Sequence, residues 1–154
     1  MIDVFSKKDV HSTIERINKL NKDSKPEWGK MNVAQMLAHC NVAYDMIYTD
    51  KYPKPNALKV FILRTLLKPF IVNDKPYKQG SPTSKEFKIV EQVNFESEKA
   101  KLITNIEKTA DLGKDFFEGK ESHSFGKLTA QEWNRMFGKH LDHHLNQFGI
   151  VKDK

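Results

Sequence analysis

The sequence predicts an all-α protein: a four-helix, up-and-down-like bundle with an extra short helix between the second and third main helices. Three observations lead there. Four stretches repeat apolar residues at helical spacing, side-chain caps precede those stretches, and 154 residues suit a single domain spanning 1–154. Hydrophobic residues make up 38% and charged residues 30%, but ten phenylalanines supply a core that disordered chains lack.

The first helix is announced by Ser6 with Asp9 three residues on, followed by Val10, Ile14 and Ile17, and should end near Asn21. Ser24, Pro26 and Gly29 mark a loop holding Trp28. Asn32 with Gln35 reads as the cap of a second helix over 33–49, whose stripe includes Met36, Leu37, Cys40 and Tyr44. His39 lies on the margin of that stripe, so it can face inward.

Pro53 and Pro55 end the pattern, and Ala57 to Leu67 forms a short apolar segment carrying Lys59 and Arg64 that Pro69 should stop. Residues 69–95 show no sustained period apart from Phe87, Ile89 and Val90, and a connection of that length suggests function or cover for a pocket. Ser97 is the expected cap of the third main helix, with Ala100, Ile103 and Ile106 inward and Gly113 ending it. A loop through Phe116, Phe117, Gly119 and Gly126 follows. Thr129 and Glu132 then form the capping box of a last helix over 130–148, terminated by Gly149.

That last helix carries the chemistry. With Trp133 at zero on a helical wheel, Phe137 falls at about 40°, His140 at about 340°, His144 at about 20°, Gln147 at about 320° and His143, on the flank, at about 280°. Two imidazoles one turn apart on a buried face need partners, since each unpaired buried polar group costs about 1–3 kcal/mol. The i, i+4 spacing lets both converge on one divalent cation, as in H-E-x-x-H helices. Leu141 stands where such helices carry a catalytic glutamate, which argues against a peptidase of that kind, and His39 is the best third ligand. A hydrogen-bonded core pair explains the same spacing, which alone does not choose between the two. Cys40 is a further candidate ligand or an inert buried thiol, and His123 is either a pocket residue or part of its loop.

The net charge of +6 raises the question of nucleic acid, but the cations are mixed with acids along the chain rather than gathered in one stripe, which argues against it. The 57–67 segment is too short to span a bilayer, and packing against protein, over the core or at a dimer interface, is expected before lipid. One cysteine and a start without a signal peptide point to the cytoplasm.

The stretches W-G-K-M-N-V-A-Q-M-L-A-H-C from Trp28, H-S-F-G-K-L-T-A-Q-E-W from His123 and H-L-D-H-H-L-N-Q-F-G-I from His140 carry a resemblance. The chain resembles the DinB-like superfamily, and more narrowly the domain-of-unknown-function family 1569. The resemblance implies a four-helix bundle, commonly a homodimer, with a metal on one histidine of the second helix and two from H-x-x-x-H of the last. These positions are His39, His140 and His144. It also implies activities such as transfer or isomerisation reactions that use a low-molecular-weight thiol, bacillithiol or mycothiol. The superfamily pattern H-x-x-H-H-R-G-Q is broken here by Leu145 and Asn146 in place of Arg-Gly, while Gln147 is kept.

The combined expectation is a three-histidine site for zinc, or secondarily nickel, acting on a small-molecule substrate. The runner-up is a noncatalytic metal or small-ligand binder. Three protein ligands leave an open position, so a pocket lined by Trp133 and Gln147, with His123 and His143 nearby, is expected above the metal.

Overall fold

In a computed structural model, which describes residues 1–152, the chain is mostly helical. Its helices are α1 (Lys7–Asn18), α2 (Val33–Tyr48), α3 (Ala57–Ile62), α4 (Lys68–Ile71), α5 (Phe95–Phe117) and α6 (Ala130–Gln147). A π turn over Leu63–Leu67 joins α3 to α4, and a 3-10 turn over Lys85–Phe87 interrupts the long connection.

The caps explain where the helices begin. Asn32 and Gln35 exchange backbone bonds at the start of α2, and Thr129 and Glu132 do the same for α6, satisfying donors that a helix start leaves unpaired. At the other end of α6, Gly149 takes a φ of 70°, which lets Ile150 N–H reach Leu145 O at 2.9 Å and close the helix.

Several boundaries differ from the sequence expectation. The first helix stops at Asn18, because 3-10 bonds tighten the next turn and bring Leu20 into the core. The fifth begins at Phe95 rather than after Ser97: Asn94 lies three residues upstream and its side chain accepts from Ser97 N–H. Gly113 does break α5, with a φ of 73°, but one more turn follows and delivers Phe117 into the core. Pro69 does not stop the apolar segment. The wide π turn, with Lys68 N–H bonded to Leu63 O, places it in the first turn of α4, where a missing N–H is tolerated. The loop before α6 contains a two-residue hairpin, Glu121–Ser122 against Gly126–Lys127, too short to register as alternation.

The core fills the space between α1, α2, α5 and α6. Tyr44 stacks on Phe137 at 4.6 Å, Phe137 on Trp133 at 5.6 Å, and Phe117 meets Trp133 edge-on at 5.5 Å. Gly138 admits the first residues of the chain, since a Cβ there would lie 2.5 Å from Ile2 O. Buried Arg16 ties α1 to the end of α6, bonding Asp142 at 2.8 Å, Asn146 at 3.2 Å and Ile150 O at 2.7 Å. The 57–67 segment is not packed over this core: none of its residues is buried.

Candidate metal centre

Two helices position three imidazoles. His39 comes from the middle of α2, and His140 and His144, one turn apart, come from the last third of α6. The α2–α6 packing brings His39 Nε2 to 2.9 Å from His140 Nε2, and one ligand nitrogen from each histidine lies within 4.8 Å of the others. His39 and His144 are buried and His140 is partly exposed.

The hydrogen bonds around the cluster decide the tautomers. Phe87 O lies 2.8 Å from His39 Nδ1, and a carbonyl only accepts, so Nδ1–H donates and Nε2 is left bare. Gln147 works the same way. Its Nε2 donates to Trp28 O at 2.8 Å, which turns Oε1 toward His144 Nδ1, also at 2.8 Å. His144 therefore donates from Nδ1 and presents a bare Nε2. With His39 Nε2 bare, His140 Nε2–H is the donor of the 2.9 Å contact between them.

Burial is the main cause that lowers all three pKa values, and the neighbouring imidazoles deepen the effect. His144 is held at about 3 by burial and by His39, against the opposing bond from Gln147. His140 falls well below the usual imidazole value through burial and then His144 and His39. Among the described residues no carboxylate shifts any of the three. His39 and His144 thus stand as neutral imidazoles with lone pairs on one centre, the form in which histidine binds a metal, and His140 joins them when the proton leaves its Nε2.

The spacing fits a small divalent ion. Zinc–nitrogen bonds of about 2.0–2.1 Å at tetrahedral angles separate ligand nitrogens by roughly 3.3 Å. The observed 2.9 Å to 4.8 Å brackets that value, so side-chain rotations suffice. Backbone acceptors and an amide behind the ligands are the outer shell that orients metal-binding histidines.

Other residues singled out by the sequence are placed differently. His143 stands beside the cluster, with its ring 5.0 Å from that of His144 and edge-on to Trp28 and Tyr77. Gln147 is buried and orients His144, as described. Trp133 lies in the core, where its ring partners are Phe117 and Phe137. His123 bonds Pro53 O at 3.1 Å and Ser124 Oγ at 2.8 Å, so both its ring nitrogens are engaged away from the cluster. Cys40 Sγ faces Met36 Sδ at 3.9 Å, and burial raises its thiol pKa well above the ordinary range. Leu145 is buried in the core, so this position sends no polar group toward the cluster.

A cavity of about 280 Å³ lies between α2, the 86–93 segment and the start of α5. Asp45, Glu98 and Lys101 line it, and none of the three histidines does.

Phe87 and Trp28 were not legible as site residues. Both contribute main-chain carbonyls, which every residue carries, so no side-chain type marks them. Phe87 also packs its ring 5.3 Å from His39 and 5.8 Å from His140, which makes the long connection a cover over the cluster. Gly29 leaves room for the Trp28 contact: it has a φ of 85°, and a Cβ there would lie 2.6 Å from Gln147 Nε2.

Gln147→Ala removes the acceptor of His144 Nδ1–H and frees that ring to rotate. Metal affinity should fall about 10–100-fold, the usual cost of losing an outer-shell partner. Competition against a chelator measures it, and unchanged affinity would show that Gln147 does not orient the ligand.

No curated protein and no solved structure matches the chain. A family model does match, over residues 5–150, nearly the whole length. The pattern of histidines described above lies inside that match, and the chain belongs to the family described as proteins of unknown function, DUF1569.

Proposed function

We propose that this chain is a metal-dependent enzyme of the DinB-like type, built as a four-helix up-and-down-like bundle. In this reading His39, His140 and His144 hold one divalent ion, zinc in preference to nickel, and the protein acts as a low-molecular-weight thiol transferase or a hydrolase on a small molecule. The observation that carries the reading is the pair of Nδ1–H bonds, to Phe87 O and Gln147 Oε1, that aim two bare Nε2 atoms at one centre. A histidine pair that served only packing has no need of that convergence.

The donor count favours an open site over a structural one. Among the described residues the cluster holds three protein donors, whereas a structural zinc normally takes four. A bound ion supplies Lewis acidity there, lowering the pKa of a coordinated water or thiol. The chain's own residues do the rest. Gln147 fixes the His144 ring, Phe87 O fixes His39, and the Phe87 ring limits water on that side.

A noncatalytic metal-binding role is the second reading. It is favoured by the same Phe87 ring, which covers the cluster, and by a cavity that opens elsewhere. Elemental analysis of the purified protein, followed by turnover with a thiol and a generic electrophile, separates the two. One equivalent of metal with metal-dependent thiol consumption supports the enzyme. Metal without turnover supports the binder, and a protein that neither carries nor takes up divalent metal refutes both.

A further inference from the structure

The arm from Ala57 to Ile71 presents an apolar face that nothing in the chain covers. Leu58, Phe61, Leu66 and Phe70 are each between 65% and 69% exposed, with Ile62 at 46% beside them. Their spacing places them along one side of the helical arm, and only Thr65 and Pro69 complete that side, so it contains no charge. The partly buried residues, Val60, Leu63, Lys68 and Ile71, lie on the side toward the body. A contiguous apolar surface of this kind marks an interaction site.

The arm is held in that pose. Lys139, buried on α6, donates to Phe70 O at 3.0 Å, Asn73 O at 2.9 Å and Asn73 Oδ1 at 2.9 Å. Tyr77 Oη donates to Ile71 O at 3.3 Å.

Charge indicates what meets this face. Between Asp50 and Asp74 the sequence has Lys51, Lys54, Lys59, Arg64 and Lys68 and no acid. Lys68 is answered by Glu132 at 2.8 Å and Lys59, loosely, by Glu86 at 4.0 Å. Lys51, Lys54 and Arg64 have no carboxylate partner among the described residues. We propose that the arm docks the protein on an anionic lipid surface, with the apolar face entering the boundary between headgroups and acyl chains and Lys51, Lys54 and Arg64 meeting lipid phosphates.

Geometry limits the arm to the surface. Fifteen residues at 1.5 Å each reach about 22 Å, short of a hydrocarbon core of about 30 Å. No helix among the described residues is long and apolar enough to cross a membrane. A second copy of the chain is the competing occupant, but a two-fold contact through this face gathers both sets of cations into one interface, and the segment has no acid to answer them. Lipid phosphates neutralise the same charges. The proposal reverses the expectation that this segment packs against protein, and it is independent of the metal centre.

Flotation of the full chain with phosphatidylcholine vesicles, with and without phosphatidylserine, tests it. The protein should float with the phosphatidylserine vesicles and less so as salt rises. Phe61→Ser with Phe70→Ser should lower partitioning at least about tenfold, given the apolar area each ring buries. Lys51→Gln, Lys54→Gln and Arg64→Gln together should erase the preference for anionic vesicles. All five residues are exposed or carry no tertiary bond, and a retained melting temperature checks that each variant folds. Failure of the wild-type protein to float at low salt, or equal flotation of the double phenylalanine variant, overturns the proposal. A dimer in sedimentation velocity that the same variant dissociates, with no vesicle binding, overturns it too and assigns the face to a second copy.

Discussion

A variant carrying both His140→Ala and His144→Ala should lose its metal. Two of three ligands disappear, so affinity should fall by more than about three orders of magnitude, beyond the 10–100-fold cost of an outer-shell change. Metal per chain, measured by elemental analysis after dialysis, should drop from near one to near zero. Retention of full stoichiometry would remove both histidines from the site. The same variant has a second signature in the metal-stripped protein. The three imidazoles have folded-state pKa values below that of the unfolded chain, about 6.5. Below pH 6.5 the unfolded state therefore binds more protons, and stability present above that pH is lost as pH falls toward about 3, the value for His144. His144 contributes a slope approaching about 1.4 kcal/mol per pH unit in that window, and His140 and His39 add to it wherever the pH lies between 6.5 and their own lowered values. With two of them gone, urea midpoints of the stripped variant should depend on pH less steeply than those of the stripped wild-type protein.

Trp133→Ala should do the reverse, costing stability and sparing metal. Trp133 is 1% exposed and packed between Phe137 and Phe117. Truncating a buried tryptophan costs about 3–5 kcal/mol, because the lost transfer free energy is joined by an incompletely collapsed cavity. Chemical denaturation should report that loss while metal content per folded chain stays unchanged. A small stability change accompanied by loss of metal would return Trp133 to the pocket. The experiment matters because a wheel places Trp133 on the same stripe as His140 and His144. Sharing a face does not mean sharing an environment: the stripe runs the length of α6, and its first half meets Phe117 at the end of α5 while its second half meets His39 of α2.

The long connection makes the same point from the other side. Residues 69–95 show no sustained period apart from Phe87, Ile89 and Val90, so sequence can suggest cover for a pocket but cannot say which of them meets the histidines. The structure assigns that work to Phe87, which accepts from His39 through its carbonyl and packs its ring on two histidines. The apolar segment is a different case. Its composition calls for burial, over the core or at an interface, and in the chain the arm stands with that face outward, away from the core. Composition sets the cost of exposure, not which surface removes it.

What the sequence determined by itself is whatever short-range chemistry encodes. The capping boxes at Asn32 and Thr129, the left-handed turn at Gly149 and the i, i+4 histidines follow from residues a few positions apart, and the structure has each of them. The tertiary structure alone decided which neighbours those residues meet. It brought His39 within 2.9 Å of a residue 101 positions away, set two tautomers through Phe87 O and Gln147, and separated Trp133 and His123 from the cluster. The physical reason is that hydrogen-bond partners and burial across helices depend on packing angle and chain path. Helical periodicity specifies which side of an element is apolar, and it carries no record of what that side will touch.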